Sequence, residues 1–200
     1  MAPMVVDPAK VRAFADKDAL QAWLAENHDR ETVLWIRIYK AKSGVASITW
    51  AEAVEVILCW GWIDGVRKSL DDASFLQRIS PRGKRSVWSQ INVANVARLI
   101  EEGRMTEHGL KHVETAKADG RWDAAYRVKG ATVPDDLMAA IDAEPQARAT
   151  FDLLTAQNRF ALIYRVEALK TAAGRRKKIS DLVAMLKRGE TVHPQKGVRP

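Results

Sequence analysis

Thr49-Trp50-Ala51-Glu52-Ala53-Val54-Glu55-Val56-Ile57-Leu58-Cys59-Trp60-Gly61-Trp62-Ile63-Asp64-Gly65 is the stretch that decides the fold class. Thr49 and Glu52 are spaced as a capping box, in which a hydroxyl and a carboxylate satisfy opposite orphan amides at a helix start. Ala53, Val54, Ile57 and Leu58 then fall on one helical face. Gly61 suits the position just past a helix end, and Trp62 to Lys68 reads as a strand. Leu70-Asp71-Asp72 reads as a turn and Ala73 to Ser80 as the partner strand, which makes a hairpin.

Working outward, Thr32 to Lys40 is β-branched and aromatic. It reads as a strand with Leu34, Ile36 and Ile38 on one face and Trp35, Arg37 and Tyr39 on the other. Residues 18–28 read as a short helix capped by Asp18, with Leu20, Trp23 and Leu24 inward. Downstream, Ser86 or Ser89 opens a helix carrying Trp88, Ile91, Val96, Leu99 and Ile100 as far as Gly103. Thr106 opens another that ends near Gly120. Residues 127–133 read as a linker. From Pro134, placed at N1 with Asp135 and Asp136 in the first turn, the pattern is helical, with later starts at Pro145 and Thr155. The last helix buries Ile179, Leu182, Val183 and Leu186 and stops at Gly189. The expectation is an α+β fold: a small antiparallel sheet (32–40, 62–68, 73–80) packed on helices, followed by a C-terminal helical bundle. The expected domains are 1–126, with a Trp-rich core, and 134–190, small and helical. Residues 191–200 are expected as a flexible tail.

The 200-residue chain has room for one sizeable core with a helical appendage. Its seven Trp all precede residue 123, which marks a change of character along the chain. A net charge of +7 favours anionic partners without specifying one. The single cysteine, Cys59, lies in an apolar run and reads as a buried inert thiol. The N-terminus lacks the pattern of a secretory signal, and no apolar run reaches the length of a membrane span, so a cytoplasmic location is expected.

Three groups of residues bear on function. Trp60, Trp62 and Trp88 with Asp64, Gln77, Arg78, Arg82 and Asn92 combine flat rings, cations and a carboxylate, and form the candidate pocket for a small planar or anionic ligand. Lys84 and Arg85, ahead of a helix start, and Arg175 and Arg176 are candidate anion-binding positions. His108 and His112 share a helical face at i, i+4, but two imidazoles do not make a metal site, so no metal and no cofactor is assigned. No catalytic residue is assigned either. An enzyme using Asp64 as general base in the Trp/Arg pocket stands as one alternative, and a basic nucleic-acid-binding module as another.

Trp60 to Gly65, Gln77-Arg78 leading into Ser80-Pro81-Arg82, Ser86-Val87-Trp88-Ser89 with Ile91-Asn92, Gly103 to Thr106, Ala116 to Trp122, Pro134 to Leu137 and the segment 158–179 together resemble the YdeI/OmpD-associated family of bacterial proteins, also labelled bacteriocin-protection proteins. The resemblance implies an α+β N-terminal part and a small helical C-terminal part, and a role in stress tolerance or resistance to antimicrobial peptides. It implies no reaction. The functional expectation is a cytoplasmic, tolerance-associated ligand-binding protein.

Overall fold

In the computed structural model, which describes residues 5–127 and 130–197, the chain divides into a first unit ending at Tyr126 and a second beginning at Arg127. The first unit runs β1 (Val11–Ala13), α1 (Lys17–Asn27), β2 (Leu34–Tyr39), α2 (Trp50–Cys59), β3 (Trp62–Ser69), β4 (Ser74–Pro81), α3 (Gln90–Glu101) and α4 (Glu107–Ala118). The sheet order is β1-β2-β4-β3. The β3–β4 hairpin and the antiparallel β2–β4 pair form where the sequence places them. The sheet is nevertheless mixed, not antiparallel throughout, because β1 adds in parallel to β2 with Val11 opposite Trp35. Three residues are too few to show a period of two, so β1 leaves no pattern to read.

The boundaries follow local chemistry. Asp16, not Asp18, caps α1, its carboxylate accepting from the Ala19 amide at 2.8 Å. Asp18 sits in the first turn instead, where its charge complements the helix dipole. Thr49 and Glu52 complete the capping box of α2. Gly61 has φ +70°, and its amide donates to the Leu58 carbonyl, which ends the helix and starts β3 within one residue. Ser89 caps α3, so Trp88 lies before the helix rather than on it. With Trp88 removed from the pattern the buried face shifts to Val96 and Leu99, and Ile91 and Ile100 are exposed.

Two apolar clusters hold this unit. One gathers Phe14, Leu20, Leu24, Ile36, Ile57, Trp62 and Ile79 beneath the sheet. The other joins α2, α3 and α4 through Leu58, Cys59, Trp88, Val96, Leu99 and Val113. The α2–α4 joint is unusually close. The last carbonyl of α2, on Cys59, accepts from both the amide and the hydroxyl of Thr106, the cap of α4, at 3.2 and 2.6 Å. A methyl at Gly109 would collide with that same carbonyl. Burial pushes the Cys59 thiol up to about 11, which keeps it a thiol and not a nucleophile.

The second unit contains α5 (Asp135–Asp142), α6 (Pro145–Asp152), α7 (Ala156–Glu167) and α8 (Ala172–Lys187). Pro134 is the cap of α5 and Asp135 its first residue, one position later than the sequence suggests. Pro145 does take N1 of α6, and Thr155 and Thr171 cap α7 and α8. Leu137, Ile141, Phe151, Leu162, Val166 and the four apolar residues expected from α8 form its core. Part of the segment read as a frayed tail is tied to α7. The buried Asn158 amide donates to the His193 carbonyl and to Gln195 Oε1, and its oxygen accepts from the His193 amide at 2.9 Å. No helix among the described residues is long and apolar enough to cross a membrane.

Candidate functional site

Trp60-Gly61-Trp62 sends its two indoles to different tasks. Trp62, 1% exposed, enters the core edge-on to Trp23 at 6.0 Å. Trp60 stays half-buried and donates its Nε1 hydrogen to Gln21 Oε1 at 3.1 Å. Gly61 between them is required twice. Its backbone is left-handed, and a Cβ there would strike the His112 ring. The glycine therefore lets α4 lie against the start of β3, and a cleft of about 720 Å³ opens beside this contact.

Rings gather at one end of the cleft. His108 stacks nearly parallel to Trp60 (centroids 5.8 Å apart, planes 13° apart), and His28, from the end of α1, lies 3.9 Å from His108 and 4.8 Å from Trp60. His28 Nδ1 stands 3.1 Å from the Leu24 carbonyl. A carbonyl only accepts, so Nδ1 carries the proton there.

Cations gather at the other end. Arg82, Lys84, Lys111 and Arg121 line the cleft against two carboxylates, Asp29 and Asp119. Asp119 is already gripped by Arg121, with Nη2 to Oδ2 at 2.7 Å. Lys84 and Lys111 make no ion pair among the described residues. The balance of the walls is positive.

Arg82 is the least ordinary of these cations. Only 4% exposed, it lies with its guanidinium 3.8 Å from the centre of the Trp88 ring, and Nη1 donates to the Val87 carbonyl at 3.0 Å. Nε and Nη2 are enclosed and have no acceptor among the described residues. They form the fork edge of the guanidinium, two parallel N–H groups that match two oxygens of a carboxylate or phosphate. Burial, and next the charge of Arg121, lower its pKa to about 10, while Asp64 and Tyr126 act the other way. The group remains a cation at neutral pH, held where its charge is poorly solvated. His112 is also depressed, first by burial and then by Arg82, Lys111 and Arg121.

Of the residues singled out in the sequence, Trp60, Trp62, Arg82 and Lys84 line this cleft. Trp88 supports it from behind, beneath Arg82 and edge-on to Trp122 at 5.0 Å. The others serve elsewhere. Gln77 is buried in β4, where it faces a bulge of β3 between Asp64 and Arg67. Its Nε2 donates to the Gly65 carbonyl at 2.9 Å and its Oε1 accepts from Arg67 Nε at 3.3 Å. Arg78 donates to Ser80 Oγ at 3.4 Å. Asn92 is in the first turn of α3, its amide capped by Ser89. Asp64 is not on the cleft wall. Burial raises its pKa, opposed by its own backbone amide and the Trp50 indole N–H. Arg85 is exposed outside the cleft, and residues 86–89 separate it from the start of α3. Arg175 is committed to a two-pronged pair with Asp136 at 2.6 and 2.7 Å, and Arg176 is exposed on α8.

The sequence assigns no site role to His28, Lys111 or Arg121, and offers His108 and His112 only as a pair too few to make a metal site. The spacing of His108, Lys111, His112 and Thr115 (i, i+3, i+4, i+7) does mark one face of α4 in the sequence. Nothing in the sequence brings His28 to it. Among the described residues no group of three His, Cys, Asp or Glu could hold a metal ion.

Residues 12–112, just over half of the chain, match the model of a family described as Domain of unknown function (DUF8412). Residues 130–189 match the family described as Bacteriocin-protection, YdeI or OmpD-Associated. The YdeI/OmpD-associated resemblance is thus supported, and it is located in the second unit. Pro134 to Leu137 and 158–179 fall within that match, whereas the Trp60 to Gly65 and Ser80 to Asn92 motifs fall within the other. No curated protein and no solved structure matches the chain. The chain belongs to the family defined by that domain of unknown function, whose match includes every lining residue of the cleft except Thr115, Asp119 and Arg121, and joins to it a C-terminal segment that matches the YdeI/OmpD-associated, bacteriocin-protection description.

Proposed function

We propose that the first unit is a binding module for a small organic oxoanion, held in the cleft between α4 and the loop that follows β4. The observation that carries this reading is the fork edge of Arg82. A guanidinium enclosed on an indole, with Nε and Nη2 free of protein acceptors, is costly to maintain unless an anion uses it. Lys84, Lys111 and Arg121 on the same walls add attraction, and the cleft volume lies within the range of small-ligand sites. A part for the whole chain in stress tolerance is supported by the description of the family matched at residues 130–189.

The test is a thermal-shift and Trp-fluorescence titration of the full chain against anionic metabolites and their neutral analogues. Saturable stabilisation by anions, lost in the Lys84→Gln/Lys111→Gln double variant with its unliganded melting temperature unchanged, is the expected result. If no anion stabilises the protein more than its neutral analogue does, the reading is wrong.

A further inference from the structure

The two ends of the cleft differ in chemistry, and this polarity narrows the ligand. At one end His28, Trp60 and His108 pack ring against ring. Four residues along α4, about 6 Å further on, stands His112, which feels the charges of Arg82, Lys111 and Arg121. A ring surface, with Trp60 and His108 nearly parallel, and a set of cations therefore lie at different points along one face of α4 and the loop opposite it.

We infer that the cleft takes a nucleoside monophosphate, with the base laid on the Trp60–His108 cluster and the phosphate received by Arg82 and the neighbouring cations. The inference rests on the oxoanion reading above and specifies it. Several observations favour this class over a simple aromatic acid. With Arg121 already paired to Asp119, three cations of the cleft are without an ion pair among the described residues; a carboxylate carries one negative charge and would answer one of them, whereas a phosphate monoester carries close to two near neutral pH and offers three terminal oxygens. Two of those oxygens match the Arg82 fork, which a ligand reaches once a local shift of the loop uncovers the enclosed Nε and Nη2, and a third remains for Lys84 or Lys111. A cleft of about 720 Å³ is also generous for a single ring with a short acid arm. Inorganic phosphate alone would leave the ring end unused. Base stacking on aromatic side chains is sequence-tolerant, so the geometry points to a nucleotide without selecting a base.

The experiment is calorimetric titration of the full chain with AMP, adenosine, inorganic phosphate, phenylacetate and a single-stranded oligonucleotide bearing a 5′-phosphate. AMP is expected to bind at least about tenfold more tightly than adenosine, phosphate or phenylacetate, because it alone uses both ends. His108→Ala is expected to weaken AMP severalfold while leaving phosphate unchanged, and Lys84→Gln/Lys111→Gln to weaken AMP and phosphate alike. Arg82→Gln also loses the Val87 contact, so the exposed Lys84 and Lys111 variants keep the test independent of folding, and the half-buried His108→Ala is read with its unliganded melting temperature as a control. If phenylacetate or phosphate binds as well as AMP, the nucleotide assignment falls while the oxoanion reading stands. If the oligonucleotide binds at least tenfold more tightly than AMP, the ligand is a nucleic-acid end and the assignment again falls. If none of the five binds, the nucleotide assignment falls, and the broader anion screen decides the reading beneath it.

Discussion

His112 stands against the left-handed Gly61, within the field of three cations. Its ordinary value is 6.5, and the fold lowers it, first through burial. Below that value the unfolded chain takes up a proton that the folded chain refuses, so the stability contributed by this group is complete above the unfolded pKa and is lost as pH falls through the folded one. The melting temperature is accordingly expected to fall as pH drops below the ordinary histidine value of 6.5, and His112→Gln to flatten that slope. Gly109 gives a second test at this scale. Gly109→Ala drives a methyl into the Cys59 carbonyl and is expected to cost about 2–3 kcal/mol in denaturant unfolding. Gly103→Ala, at φ +65° but facing open space, should cost only about 1 kcal/mol. Single residues also show how far the sequence could be read. Trp60, Trp62, Arg82 and Lys84 were visible because bulky rings and cations cluster within a short span. His28 was invisible, because it reaches the cleft only through the packing of α1, which leaves no mark in residue spacing.

Elements were legible where local chemistry decides them. The capping box at Thr49, the glycine stop at Gly61, the β3–β4 hairpin and the buried stripe of α8 all follow from short-range rules. Thr49→Ala should therefore cost about 1 kcal/mol, read as a lower denaturation midpoint with unchanged slope. The misreadings share one cause: tertiary partners overrule local pattern. Trp88 has helical spacing to residues of α3 but lies outside it, because the chain before Ser89 pairs with Tyr126 and places the indole beneath Arg82. Gln77 looked like a ligand group because a polar residue in a strand invites that reading. Its hydrogen bonds instead close the β3 bulge. Gln77→Leu would leave the Gly65 carbonyl without that donor and is expected to cost about 1–3 kcal/mol, with no change in ligand affinity beyond the loss of folded protein.

For the whole molecule, each unit has a core of its own. A fragment spanning residues 130–200 is therefore expected to be helical and to unfold cooperatively by circular dichroism; a fragment that stays random coil would show that the second core is insufficient alone. The chain also carries its own chemical reporter. Cys59 is the only sulfhydryl, enclosed at the α2–α4 joint, whose helices hold one wall of the cleft through backbone contacts. An alkylating reagent reaches it when the packing around it loosens. Its labelling rate under native conditions thus works as a clock for loosening of this packing, and a nucleotide that slows the clock would report that occupancy of the cleft steadies α4 as far as its cap at Thr106.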